Sequence, residues 1–249
     1  MVDESDTWQK VQELLDQIEK RILSTLPPEG ISVKPADTIA VGMYWRCMSL
    51  YHSIILLLTN NQPEEALMLW RSLFTDSLRL RELEAAEVKD RLAIQLGHYA
   101  SSLERSKRRI QQAKRLGVRD DISEELAHID KQKRDMEIYR KRLGIEKLKQ
   151  FSSEENLINR LNLKVDVWGF LYSHGFVHGE DIAQIHRRRK LQPRIYAFFS
   201  HTPDPEFLAA VAFAAARSIM DTHEAAGKMF GWEVSPELRE LLATIQSLQ

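Results

Sequence analysis

Apolar residues return at intervals of three and four along most of this chain, a rhythm that belongs to helices and leaves little room for strands. Trp8, Val11, Leu14, Leu15, Ile18, Ile22 and Leu26 set a first amphipathic helix from about Ser5 to Leu26, which Pro27-Pro28-Glu29-Gly30 stops. Asp37 is placed to cap a second helix running to about Thr59. That helix is apolar on nearly every side, through Ile39, Val41, Met43, Trp45, Leu50, Ile54 and Leu57, and so belongs in the core. Asn61-Gln62-Pro63-Glu64 has the form of another start, with Asn as cap and Pro in the first turn, and the helix continues through Trp70, Phe74 and Leu80.

The spacing then becomes heptad-like. Leu92, Leu96, Tyr99, Leu103, Ser106, Ile110 and Ala113 alternate steps of four and three, Gly117 ends the run, and Asp121 with Glu124 can cap the next. Ile122, Leu126, Ile129, Lys133, Met136, Arg140 and Leu143 repeat the spacing, so residues 90–148 are predicted to form a long antiparallel helical hairpin. Ser152-Ser153-Glu154-Glu155 starts a helix expected to end near Gly179. From Ile182 to Pro205 the sequence is basic, then aromatic, and irregular. An Ala-rich helix follows from about Glu206 to Phe230, and Pro236 opens a short last one.

With 249 residues, 43% of them hydrophobic, and only 10 Gly and 8 Pro, the chain can bury a sizeable core without an external staple. The expected fold is all-α, a single domain over residues 1–249: a helical bundle with a projecting antiparallel coiled-coil-like helical hairpin. Helices apolar all round, beside an Ala-rich one, carry more hydrophobic surface than one bundle covers, so a homodimer is expected. The single cysteine, Cys47, excludes an intrachain disulfide and reads as a small core residue. Met1 to Ser5 is polar and acidic without the pattern of a secretory leader, and the longest apolar run, Ile54 to Leu58, is far too short to span a bilayer. A cytoplasmic protein with no membrane association is expected. With 35 basic and 36 acidic side chains the net charge of -1 supplies no global field, so any recruitment of nucleic acid must be local.

Several residues could carry chemistry. Arg71 lies on one helical stripe with Glu64, Leu67, Phe74 and Leu78, opposite a second apolar stripe, so it is expected to be buried and paired, structurally or with an anion in a pocket. In Tyr172-Ser173-His174-Gly175-Phe176-Val177-His178-Gly179-Glu180-Asp181 two histidines stand one helical turn apart where an apolar run ends. Their spacing is that of helical zinc ligands, yet Gly175 lies between them and no Glu follows the first; helix-terminal histidines facing the dipole, or an acid–base role, fit better, and no metal is expected. Arginines precede histidines by five or six intervening residues at Arg46–His52, Arg91–His98, Arg194–His201 and Arg217–His223. Helical HEPN ribonucleases use an Arg-x4-6-His motif, the arginine on phosphate and the histidine at the ribose hydroxyl. With 21 arginines and 8 histidines about two such matches arise by chance, so position decides, and Arg217–His223, late in the chain on a helix, is the best placed. An ordinary exposed helix face is the competing reading of that pair.

Two basic clusters could meet phosphate. Arg105 to Arg119 holds seven Lys or Arg and no acid, but Asp120, Asp121, Glu124, Glu125 and Asp130 on the antiparallel arm can balance it. His186-Arg187-Arg188-Arg189-Lys190 has no acidic partner nearby in sequence and is the stronger phosphate candidate. No Gly-rich phosphate loop, nucleophile elbow, Cys-pair metal spacing or dinucleotide fingerprint occurs, and no cofactor is expected.

Glu65-Ala66-Leu67-Met68-Leu69-Trp70-Arg71-Ser72-Leu73-Phe74 and Tyr172-Ser173-His174-Gly175-Phe176-Val177-His178-Gly179 together resemble a mostly bacterial helical family catalogued as a domain of unknown function. That family has an Arg-Ser-Leu-Phe core usually followed by Glu, where this chain has Thr75 and then Asp76, and a Tyr/Ser-x-x-Val-His ending. The resemblance spans about residues 38 to 230 and marks Arg71 and His178. The family in turn looks distantly like the HEPN group, an analogy of fold that does not assign function. Residues and resemblance together imply a HEPN-like prokaryotic protein acting on RNA or a nucleotide, in defence against phage, as a metal-independent ribonuclease. His178 or His223 would be acid or base, His174 would support, and Arg71, Arg217, Arg187, Arg188 and Arg189 would hold phosphate. The alternative is a non-catalytic interaction module whose hairpin binds a partner protein.

Overall fold

The structure, a computed structural model, describes residues 4–26, 37–118, 120–163 and 205–247. Among these there are eight helices and no strand: α1 (Glu4–Thr25), α2 (Thr38–Thr59), α3 (Pro63–Ala85), α4 (Val88–Arg115), α5 (Ser123–Arg142), α6 (Glu154–Arg160), α7 (Pro205–Phe230) and α8 (Pro236–Ser247). The fold is all-α. No helix among the described residues is long and apolar enough to cross a membrane.

Left-handed residues set several helix ends. Gly117 (φ 66°) closes α4, with the Val118 N–H donating to the Ala113 carbonyl, and Gly144 (φ 63°) closes α5, with the Ile145 N–H donating to that of Arg140. The helix expected to run from residue 153 to near 179 stops instead at Arg160. Asn162 takes φ 55° and the Leu163 N–H donates to the Ile158 carbonyl, the same two-bond closure with Asn in place of Gly. Ser153 caps the start of α6 through its hydroxyl, which accepts from the Asn156 N–H. Asp121 does not cap α5 directly; its carboxylate accepts from the Ser123 N–H one residue inside the boundary.

The described residues divide into two compact units. One holds α1, most of α2 and α3, and α6 to α8. In it α1 packs on α7 and α8, and the alanines of α7 at 212, 215, 216, 225 and 226 are buried, bringing helix backbones close. Polar side chains fix the registers. Tyr51 donates to the Leu15 carbonyl across α2 and α1, and Trp70 Nε1 donates to Ser218 Oγ at 3.0 Å across α3 and α7. Trp70 is 1% exposed and stacks on Phe74.

The other unit holds the first turn of α2, α4, α5 and the segment to Ser152. α4 and α5 pack on each other, with ion pairs Lys107–Asp130 and Lys133–Glu104 whose registers run in opposite directions. All fourteen seam positions predicted from the heptad spacing are buried or half-buried. Residues 145–151 return along α4: the Lys149 N–H donates to the Ala93 carbonyl, Gln150 Nε2 to that of Gly97, and Phe151 meets the His98 ring edge-on.

Candidate functional sites

His223 stands in the middle of α7, on the face that also carries the buried Ala216, Ile219 and Ala226. It is 0% exposed. Tyr44 of α2 lies 2.9 Å from Nδ1 and Thr25 of α1 lies 2.9 Å from Nε2. The Thr25 hydroxyl spends its only hydrogen on the Ile22 carbonyl, so it accepts from His223; Nε2 therefore carries the proton and Nδ1 accepts from Tyr44. Trp232 closes the group, its ring centroid 5.6 Å from both His223 and Tyr44. Local backbone puts it there: Gly231 takes φ 91° and the chain folds back until the Trp232 N–H donates to the Gly227 carbonyl, where an added Cβ would sit 2.7 Å from the Trp232 oxygen. Removal from water pushes the His223 pKa down to about 4, and the same burial holds the Tyr44 phenol well above its usual range. Near neutral pH the imidazole is uncharged and the cluster is a closed polar knot linking α1, α2 and α7.

Arg217 does not join it. Six residues at about 100° each put Arg217 and His223 about 120° apart around the helix and about 9 Å apart along it; Arg217 is half-buried and His223 fully so. Arg71, expected to be buried, is half-buried on α3. Arg46 and His52 separate as well, whereas Arg91 and His98 lie about two turns apart on one face of α4, where Arg91 reaches the Ala86 carbonyl. Arg46 pairs with Asp76 at 3.1 Å while His52 faces Glu19 at 3.0 Å, and His98 packs on Phe151.

Sequence reasoning overlooked Asp76. Its carboxylate is 2% exposed and lies between Arg46 of α2 and Arg79 of α3, at 3.1 and 3.2 Å. Desolvation raises its pKa, and the two guanidinium groups pull against that rise. Cys47 is buried nearby in α2. Burial, then the Asp76 charge, holds its thiol far above the usual range, so it is a core residue and not a nucleophile.

His174, His178, Arg187, Arg188, Arg189 and Arg194–His201 lie outside the described residues. Among the described residues no group of three or more His, Cys, Asp or Glu could hold a metal ion.

The basic run on α4 is not balanced in the way its sequence implies. Lys107 and Lys133 make the cross-helix pairs, whereas Arg105, Arg108, Arg109 and Arg115 are exposed and none forms an ion pair with a described residue. At about 100° per residue they occupy about 120° of arc, over about 15 Å of helix, with Gln112 among them. Glu104 borders this face; Lys133 pairs with it, and the charges of Lys107 and Arg108 act on it as well. Residues 85–152 carry seventeen Lys or Arg against eleven Asp or Glu, a surplus of six in a chain whose net charge is -1. The same helical wheel would have shown this in the sequence. The seam takes Leu103, Ser106, Ile110 and Ala113, which turns the arginines away from the partner helix.

Residues 37–201, about two thirds of the chain, match the model of a family described as being of unknown function, DUF5677. That span takes in Arg71, His174, His178 and Arg187 to Arg189. No curated protein matches, and no solved structure matches.

Proposed function

We propose, for a chain that belongs to the family of unknown function DUF5677, an action on RNA or a nucleotide in which α4 binds phosphate. The observation that supports this reading is the row of four exposed arginines on one face of α4. Like charges one helical turn apart repel each other, and a polyanion laid along them removes that repulsion while releasing its own condensed counterions. Guanidinium groups also grip phosphate oxygens in pairs, which makes arginine a better phosphate ligand than lysine. About 15 Å of such a face matches a few successive phosphates and carries no base readout, so binding should be insensitive to sequence.

In this reading Arg187, Arg188 and Arg189 add phosphate contacts, Arg71 and Arg217 are further anion ligands, and His178, supported by His174, exchanges the proton at the ribose hydroxyl without metal. His223 is assigned to the core instead. A neutral, doubly hydrogen-bonded ring with no exposed surface cannot reach a substrate.

Fluorescence anisotropy with a single-stranded RNA tests the binding. Affinity should fall steeply between 50 and 200 mM salt, and reversing Arg105, Arg108, Arg109 and Arg115 to Glu should weaken it by more than about 100-fold and flatten the salt dependence. Equal binding by wild type and the four-fold variant would remove α4 from the site. Cleavage, if it accompanies binding, should persist in chelator, be lost in His178→Ala, and change with pH between about 5 and 8. RNA that is neither bound nor cut, alongside capture of a protein partner by the α4–α5 pair, would favour the non-catalytic interaction module.

A further inference from the structure

A second exposed face, independent of the arginines, lies on α2. Gly42, Trp45, Ser49, His52, Leu56 and Thr59 are all exposed, and their spacing of three, four, three, four and three makes them one continuous stripe. It carries no Lys, Arg, Asp or Glu. Beyond this stripe the exposed residues of α2 are Thr38 and Arg46, the latter paired with Asp76, and a helix that leaves Trp45 45% and Leu56 51% exposed on one seam has the pattern of a helix awaiting another helix. α1 and α3 flank the stripe on opposite sides: Tyr51 and His52 tie α2 to Leu15 and Glu19 of α1, and Arg46 ties it to Asp76 of α3. Leu23 of α1 and Met68 of α3 are the remaining exposed large apolar side chains among the described residues of this unit.

We infer that this face is the seam of a two-fold antiparallel contact with a second copy of the chain. The sequence of the stripe is self-complementary in that direction. With the axis passing midway between Leu50 and Tyr51, Trp45 meets Leu56 of the second copy, Ser49 meets His52, and Gly42 meets Thr59. Every layer then sets one class of heptad position against the other, as antiparallel pairing requires, and each large residue faces its apolar counterpart. No like charges meet along the seam. A Cβ built on Gly42 would meet nothing within 4 Å, which leaves room there for an approaching helix. From Gly42 to Thr59 the seam runs about 26 Å, and three helices of about 10 Å each present a face on the order of 800 Å² per copy, the size of a standard specific interface.

Analytical ultracentrifugation of the full chain between about 1 and 200 µM should show a monomer–dimer equilibrium. Trp45→Glu and Leu56→Glu should each raise the dimer dissociation constant at least about 50-fold, while the monomer keeps its helical circular dichroism and its cooperative unfolding. Ser49→Cys supplies a second reading that does not depend on weakening anything. The two introduced thiols are offset by about 4.5 Å along the seam on helices about 8–10 Å apart, within the span of a short bismaleimide cross-linker, which should join them into a covalent dimer. A monomer at every concentration, a dimer indifferent to both Glu variants, or no cross-linked dimer from Ser49→Cys would each overturn the assignment. So would loss of the folded monomer in Leu56→Glu, which would show that the chain itself covers this face.

Discussion

His223→Ala is expected to lower the stability of the fold by about 3 to 4 kcal/mol, read as a shift of the urea midpoint at constant slope. Three costs add. The ring leaves a cavity walled by Tyr44 and Trp232, the Tyr44 hydroxyl loses its acceptor, and the Thr25 hydroxyl loses the N–H it receives. Tyr44→Phe removes one bond and no volume to speak of, leaving Nδ1 buried without a donor, and should cost about 1 to 3 kcal/mol. A loss below about 0.5 kcal/mol in both variants would mean that the ring is solvated.

The same burial makes His223 a pH-dependent element whose sign can be worked out. Its folded pKa, about 4, lies below the unfolded value of about 6.5, so between those two pH values the unfolded chain binds a proton that the folded chain refuses. The stability it contributes is fully present above about pH 6.5 and is lost as pH falls toward 4, on the order of 2 kcal/mol by pH 5. Asp76 acts in the opposite sense. A carboxyl whose folded pKa is raised takes up a proton first in the folded state, so its contribution improves as pH falls toward that raised pKa. Comparing wild type with His223→Phe at pH 7 and pH 5 therefore isolates the histidine, and an unchanged gap between them would show that the ring titrates normally.

How much of this was legible in the sequence differs from feature to feature. Helix existence followed from the three-and-four rhythm because burial on one side is what that rhythm records, and Gly117 marked the end of α4 through its left-handed conformation. α6 ended early because Asn162 does what Gly usually does, and Asn is a weaker signal in a sequence. The site was less legible. Arg217 and His223 are close in sequence but face different ways, and His223 shares its side of the helix with Ile219 and Ala226, a pattern that points inward once the wheel is drawn. Asp76 was obscured because its neutralising arginines come from its own helix and from α2, thirty residues earlier. The arginines of α4 were set against acids of the facing arm by counting charges; the packing seam, and not the count, decides which of them meet.

Gly97→Ala separates propensity from packing most sharply. In an exposed helix interior the change would stabilise by about 1 kcal/mol, since alanine loses less backbone freedom than glycine. At Gly97 a Cβ would stand 1.9 Å from the Lys149 carbonyl oxygen and 2.9 Å from its carbon, both backbone atoms that no rotamer change can move. Residues 148–151 would have to lift from α4, sacrificing the Lys149-to-Ala93 and Gln150-to-Gly97 hydrogen bonds and the His98–Phe151 contact. Backbone overpacking of this kind exceeds the usual penalty of about 1 to 3 kcal/mol, so the clash wins and the variant should be less stable by at least about 2 kcal/mol. Amide exchange should quicken first at Lys149. Gly42→Ala, measured at a concentration where the chain is monomeric, is the control, because nothing lies within 4 Å of a Cβ there, and it should stabilise by about 0.5 to 1 kcal/mol. If both substitutions stabilise, the return segment does not pack on α4, and the contact at Gly97 holds nothing in place.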